Sequence, residues 1–356
     1  MKTYRLEELK SIIGRFPRVN LTCLPTPVYR LENLTRKLAG PEIMVKRDDL
    51  TGLAFGGNKS RKLEFIMADA LKKDSDTIIT WGSLQSNWCL QLAAASRKYG
   101  LNPVLVLFKT YDLPATWDGN ILVEKLLEAD IQVRETEEKG KFLDQETAFR
   151  ILQEVAEVEK QKGLKPYLVS VGGSALGGDM KKPLGALAYF EALLEIYEQT
   201  AVSGQLPDHI FIASGSGATQ AGLLVAAKAL GLKTRITGIG VSDKNEEFSP
   251  MVKQIALELA ETMELELEIK EDEIVLFDEY LGAGYGLVTA EIAEIIKFIL
   301  RTEGLVLDPV YTGKAMIGLI DLVKKKYFSV TDRILFVHTG GTPALFAFKE
   351  KLVQYP

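Results

Sequence analysis

Short apolar runs rich in β-branched residues recur between longer amphipathic ones along almost the whole chain of 356 residues. The runs at 43–46, 77–81, 104–108, 131–134, 167–171, 209–213, 235–241 and 333–338 read as strands. Segments near 59–73, 86–99, 119–129, 143–162, 184–199, 217–230, 289–302, 313–326 and 343–351 read as helices. This alternation leaves few folds open. Strands joined through helices run parallel, and near-continuous apolar strands belong to sheets covered on both faces. The expected class is α/β with open parallel sheets. No Pro/Gly-rich linker divides the chain, so a domain boundary would be crossed more than once.

Composition narrows the function. At 47% hydrophobic and 26% charged the chain can bury a core, which a disordered segment cannot. The formal charge of −5 makes it a poor binder of a phosphate backbone, so no nucleic-acid partner is expected. Cys23 and Cys89 make no disulfide framework, and His209 and His338 are the only histidines. No metal-ligand spacing occurs, and no metal is expected. Any Ser-His-Asp triad would have to use one of those two histidines. The N-terminus, MKTYRLEELKSII, reads as an amphipathic helix without an apolar signal core, and no apolar run reaches 18 residues. The expectation is a protein of a reducing compartment, the cytoplasm. Charge gathers at 135–141 and 258–273, read as solvated loops and helix faces.

Glycine-rich stretches follow several of the strand candidates, at the sheet ends where α/β proteins bind ligands. Ser214-Gly215-Ser216-Gly217-Ala218-Thr219 follows one strand and opens a helix. Converging backbone N–H groups, three hydroxyls and a helix N-terminus would cradle a phosphate. A tight strand-to-helix turn explains the same residues without a ligand. The loop is neither a Walker A motif nor a sound dinucleotide fingerprint. In FGGNKSRKLEF, residues 55–65, Lys59 begins a helix after two glycines, and Lys62 lies one turn on. A positive helix end and nearby cations would lower the pKa of Lys59 and favour the free amine that Schiff-base chemistry requires.

The segment KRDDLTGLAFGGNKSRKLEF resembles the lysine segment of the 1-aminocyclopropane-1-carboxylate deaminase/D-cysteine desulfhydrase family. These are pyridoxal-phosphate enzymes of the tryptophan-synthase-β fold. Further similar motifs follow in the family's order: LPTPVYRLENL at 24–34, SLQSN at 83–87, GNILVEKLLEADI at 119–131, SGSGATQAG at 214–222, GAGYGL at 282–287, LDPVYTGKA at 307–315 and HTGGTPALF at 338–346.

The resemblance implies pyridoxal phosphate as cofactor and assigns expected roles. Lys59 would join the cofactor and move the substrate α-proton. Lys62 and the loop Ser214–Thr219 would hold the phosphate. Asn87 would donate to the phenolic oxygen, and Ser86 would lie beside the substrate carboxylate. Tyr311 would pack near the pyridine ring, Tyr285 would face the substrate, and Thr339 would bond the ring nitrogen. A neutral hydroxyl there moderates the electron sink and favours β-elimination. The expected domains are 56–172 and 1–55 with 173–356, with the cofactor between them, in a homodimer.

The chain departs from the family at QSNWCLQ, where Trp88 would narrow the substrate pocket. The segment 172–185 is longer than usual, and its Lys181 and Lys182 would stand near the entrance or in solvent. Deaminase activity in the family accompanies glutamate after the ring-stacking tyrosine, and here Thr312 follows Tyr311. The expected reaction is elimination from a small amino acid, D-cysteine first. Ring opening of aminocyclopropanecarboxylate or loss of another leaving group such as sulfonate comes next. A cofactor-binding protein without turnover and a nicotinamide oxidoreductase are the readings from other classes.

Overall fold

The computed structural model describes residues 2–111, 117–136, 139–141, 143–174 and 176–355. Among the described residues ten strands form: β1 Val28–Arg30, β2 Glu42–Lys46, β3 Thr77–Ser83, β4 Asn102–Lys109, β5 Asp130–Glu135, β6 Pro166–Leu168, β7 His209–Ser214, β8 Arg235–Gly240, β9 Val275–Phe277 and β10 Arg333–Val337. Thirteen helices accompany them: α1 Leu6–Ile13, α2 Glu32–Leu38, α3 Asn58–Lys72, α4 Asn87–Lys98, α5 Gly119–Leu126, α6 Gln145–Gln161, α7 Leu184–Ala201, α8 Ala218–Ala229, α9 Asn245–Thr262, α10 Ala290–Glu303, α11 Thr312–Lys324, α12 Thr342–Ala347 and α13 Lys349–Val353.

The strands divide into two sheets. A four-stranded parallel sheet has the order β5-β4-β3-β6. A six-stranded sheet has the order β1-β2-β10-β7-β8-β9. It is parallel except at its edge, where β1 runs antiparallel to β2. The fold is therefore α/β with two parallel-sheet domains, as the alternation requires. β3 is buried at all seven positions and α8 at all twelve, because layers cover both of their sides.

The differences from the sequence reading have local causes. β1 and β9 are three residues long, too short to show alternation. α2 spans seven residues and two turns. α9 carries Pro250, which removes one backbone donor, yet the helix persists because Phe248, Val252, Ile255, Ala256, Leu259 and Ala260 bury one face. Its last turns occupy the start of the charged run at 258–273. In the charged run at 135–141, residues 137–138 lie outside the described residues. The helix expected over 343–351 divides at Phe348 into α12 and α13.

Candidate active site

Lys59 stands where four segments converge on the start of α3. Asn58 N–H donates to the Thr339 carbonyl at 3.0 Å, beyond the end of β10. Gly57 N–H donates to Thr51 Oγ1 at 2.8 Å, and Thr51 Oγ1 donates back to the Gly57 carbonyl at 2.9 Å. Gln91 of α4 donates from Nε2 to the Gly56 carbonyl at 2.6 Å and accepts from Ser60 Oγ at 2.7 Å. Asn58 Nδ2 lies 3.3 Å from Thr219 Oγ1. Gly57 has φ +128°, and a Cβ there would sit 2.6 Å from Gln91 Nε2 and 3.0 Å from the Thr339 carbonyl. Only glycine permits this close approach.

The Lys59 side chain lines a cavity with Ser86, Asn87, Trp88, Ser214, Gly215, Ser216, Gly217, Thr219, Tyr285, Tyr311 and Thr339. Twelve of the fourteen residues expected at the site thus face one space. Lys62 and Ala218 are the two that do not line it. Burial pulls the Lys59 amine down to about 8. The expected direction holds, but desolvation is the cause rather than the helix end or neighbouring cations. Lys46, Lys62 and Lys314 are also lowered, each chiefly by burial, and none of them lines the cavity.

Lys62 is fully buried behind this wall. Its Nζ donates to the Gly172 carbonyl at 3.2 Å. Gly172 has φ +68°, and a Cβ there would collide with Ser216 Oγ. Ser174 Oγ donates to Ser216 Oγ at 2.8 Å. Lys62 therefore backs the strand-end loop at 214–219, whose helix α8 opens at Gly217. This loop combines backbone donors, hydroxyls and a helix N-terminus, the elements of an anion site.

α4 begins inside the cavity. Ser86 is its N-cap, accepting from Cys89 N–H at 3.2 Å. The orientation of Asn87 follows from its neighbours. Asn120 Nδ2 donates to the Gln85 carbonyl at 2.8 Å, so that atom is the amide nitrogen. Its other proton goes to Asn87 Oδ1 at 2.8 Å. With Oδ1 taken, Asn87 offers Nδ2 as a donor at the cavity. Trp88 lines the cavity too, but its indole is buried and Nε1 donates to Thr80 Oγ1 at 2.8 Å.

Tyr285 and Tyr311 meet hydroxyl to hydroxyl at 2.5 Å, with ring planes near perpendicular. Asp308 fixes the Tyr311 backbone, its carboxylate accepting from the N–H groups of Val310, Tyr311 and Thr312 at 2.8–2.9 Å. Thr312 is buried, and Asp308 Oδ1 accepts its hydroxyl at 2.7 Å. Lys314, one turn on, donates to the carbonyls of Leu281 and Gly284 at 2.7 and 2.9 Å, holding the loop that carries Tyr285. Lys181 and Lys182 stand elsewhere. One donates to the Gly178 carbonyl and the other lies over the Phe16 ring. Residue 175 of that segment lies outside the described residues.

Sequence reasoning missed the supports: Thr51, Gln91, Asn120 and Asp308. The only signal was position, since Thr51, Asn120 and Asp308 lie inside the motifs at 46–65, 119–131 and 307–315.

Known proteins resemble this chain over most of its length. The family pattern of pyridoxal-phosphate dependent enzymes matches residues 19–340. A D-cysteine desulfhydrase of Klebsiella pneumoniae is 41% identical over 343 residues, covering 96% of this chain and 98% of that protein. A putative 1-aminocyclopropane-1-carboxylate deaminase of Pyrococcus abyssi is 37% identical over 347 residues, covering 98% of each. The crystal structure of an ACC deaminase homologue superposes with a TM-score of 0.85 at 36% identity, over 98% of this chain and 99% of that one. Threonine deaminase isoform 2 from Solanum lycopersicum shares the fold, with a TM-score of 0.63 at 16% identity, over 99% and 90%. With an amine of lowered pKa beside a glycine-rich loop at a helix N-terminus, and a family match over residues 19–340, this chain belongs to the pyridoxal-phosphate dependent enzymes.

Proposed function

We propose that this enzyme eliminates the β-substituent of a small amino acid, with D-cysteine as substrate, giving pyruvate, hydrogen sulfide and ammonia with uptake of one water. The observation that carries the reading is the Lys59 amine, lowered to about 8 in a cavity shared with Ser86, Asn87 and the two tyrosines.

The chain's donor set fits pyridoxal phosphate. The loop Ser214–Thr219 at the N-terminus of α8 would take the phosphate, with Lys62 behind it supporting Gly172. Asn87 would give Nδ2 to the phenolic oxygen, since its Oδ1 is already bonded. Thr339 would offer an uncharged hydroxyl to the ring nitrogen. When bound, the cofactor supplies the electron sink for the substrate Cα.

The protein's own groups then divide the work. A neutral Lys59 would hold the cofactor through its amine and, once the substrate amine has taken its place, would hold the α-proton. The N–H groups at the start of α4, with the Ser86 hydroxyl, bind the substrate carboxylate without adding a titrating charge. Tyr285 and Tyr311 place hydroxyls where the leaving group departs. Two domains, 56–172 and 1–55 with 173–356, would close on this cavity and exclude water. Support comes from the sheets: every strand of one lies within 77–168 and every strand of the other outside it. The working form would be a cytoplasmic homodimer.

Ring opening of aminocyclopropanecarboxylate is the competing reading, carried by the names of the archaeal relatives. Against it, Thr312 is buried and bonded to Asp308. An amino-acid panel scored for 2-oxo acid release decides. The highest kcat/KM should fall on D-cysteine, with pyruvate as product. A maximum on aminocyclopropanecarboxylate, with 2-oxobutyrate, would reverse the assignment. No turnover of any amino acid would leave a cofactor-binding protein only.

A further inference from the structure

Two hydroxyls outside the cavity continue the tyrosine pair into the protein. Ser83, the last residue of β3, has its Oγ 3.1 Å from Tyr285 OH. Tyr111, just past β4, has its OH 3.3 Å from Ser83 Oγ. Both are about 1% exposed, and neither lines the cavity. At the far end the Gln85 backbone N–H lies 2.9 Å from Tyr111 OH.

This chain has a direction. A backbone N–H only donates, so the Tyr111 oxygen accepts from Gln85 and its own proton goes to Ser83. Ser83 Oγ has no other hydrogen-bond partner among the described residues, so its single proton goes to Tyr285. Tyr285 then donates to Tyr311. The Tyr311 proton remains, and Tyr311 is the member of the chain that ends at the cavity. Running the chain backwards would turn the Tyr111 proton toward the Gln85 N–H, two buried donors face to face. We propose that Tyr111, acting through Ser83, is a positioning residue that fixes the direction of the Tyr285–Tyr311 hydrogen bond and so makes Tyr311 a donor toward the bound molecule.

The acidities follow the same order. Burial raises both phenols. Donating to Tyr311 raises Tyr285 further, while receiving that bond lowers Tyr311. Tyr311 is thus the hydroxyl of the pair that gives up a proton more readily. The inference rests on the cavity being the reaction site, but its test reads the hydroxyl chain itself.

The experiment uses cofactor-loaded protein carrying tyrosine labelled with ¹³C at Cζ, a carbon whose shift reports whether the phenol donates or accepts. Tyr311→Phe assigns its resonance. Tyr111→Phe removes one oxygen, keeps the ring that packs beside Tyr285 and leaves Tyr311 itself unchanged, yet it should move the Tyr311 resonance. Ser83→Ala should move it in the same sense. The double variant should move it no further than Ser83→Ala alone, because both cut one chain. An unmoved Tyr311 resonance in Tyr111→Phe, or additive shifts in the double variant, would overturn the proposal. In the same variant kcat should fall while KM holds. Shifts without any change in kcat would leave the chain standing and refute the functional reading instead.

Discussion

Arg61→Met should destabilise the protein by about 3–5 kcal/mol, the usual cost of stripping one partner from a buried ion pair. Arg61 lies between Lys59 and Lys62 on α3 and is 2% exposed. Its Nε and Nη2 reach Asp48 at 3.0 and 2.9 Å, and its Nη1 and Nη2 reach Glu195 at 3.0 and 2.9 Å. Lys46, also buried, bonds Glu195 and donates to the Thr26 carbonyl at 2.8 Å. Tyr189 OH and Thr26 Oγ1 complete Asp48 at 2.6 and 2.7 Å. Two cations and two carboxylates balance, and removing Arg61 leaves one buried negative charge. Domain stabilities are only about 5–15 kcal/mol, so the loss is a large fraction.

The same variant carries a pH signature. Burial pushes the Asp48 carboxyl up, but Arg61 and Lys46 hold it below its ordinary value. In the wild type that stability is present above the unfolded pKa and is lost as pH falls through the folded one. Without Arg61 the Asp48 pKa should rise, so protonation as the pH is lowered restores neutrality in the variant. Urea unfolding from pH 7 to pH 5 should show the gap to wild type narrowing. Adding Asp48→Asn should recover part of the loss. A penalty under about 1 kcal/mol, well below the range for a broken buried pair, or one constant with pH, would refute this account.

Glu124 is fully buried, both carboxyl oxygens lack a hydrogen-bond partner among the described residues, and burial raises its pKa well above the ordinary value. The folded state keeps its proton longer than the unfolded one. Wild-type stability relative to Glu124→Gln should therefore fall as pH rises above about 4.5, by up to ~1.4 kcal/mol per pH unit; a flat difference from pH 5 to pH 7 would contradict it. Trp88→Phe loses the bond to Thr80 and some volume, and should lower stability by about 1–3 kcal/mol while leaving the substrate ranking in place. A changed ranking at unchanged stability would put the indole in the pocket instead.

What was legible in the sequence was what repeats or stands next in line. Strand-helix alternation carried eight of the ten described strands, because the inner parallel strands are apolar on both faces, and glycine-rich strand ends marked the ligand side. Lys59, Asn87 and the loop at 214–219 were readable because their chemistry sits in adjacent residues. The supports were not. Gln91, Thr51, Asn120 and Asp308 act through contacts that chain folding alone creates, such as Gln91 Nε2 on the Gly56 carbonyl. The place of Lys62 was half legible: the helical spacing put it one turn from Lys59, but its amine turns to Gly172 rather than into the cavity. Trp88 was half legible too: it lines the cavity as its place beside Asn87 suggested, while the burial of its indole and the bond from Nε1 to Thr80 had no local signal.

Lys59 is the residue proposed to hold the cofactor. Its amine lines the cavity, whereas the similarly lowered Lys314 is spent on three backbone carbonyls. Borohydride reduction of the cofactor-loaded protein, followed by peptide mapping, should place the pyridoxyl group on Lys59, and Lys59→Ala should take up no label. A pyridoxyl group on Lys62 or Lys314 would contradict the account.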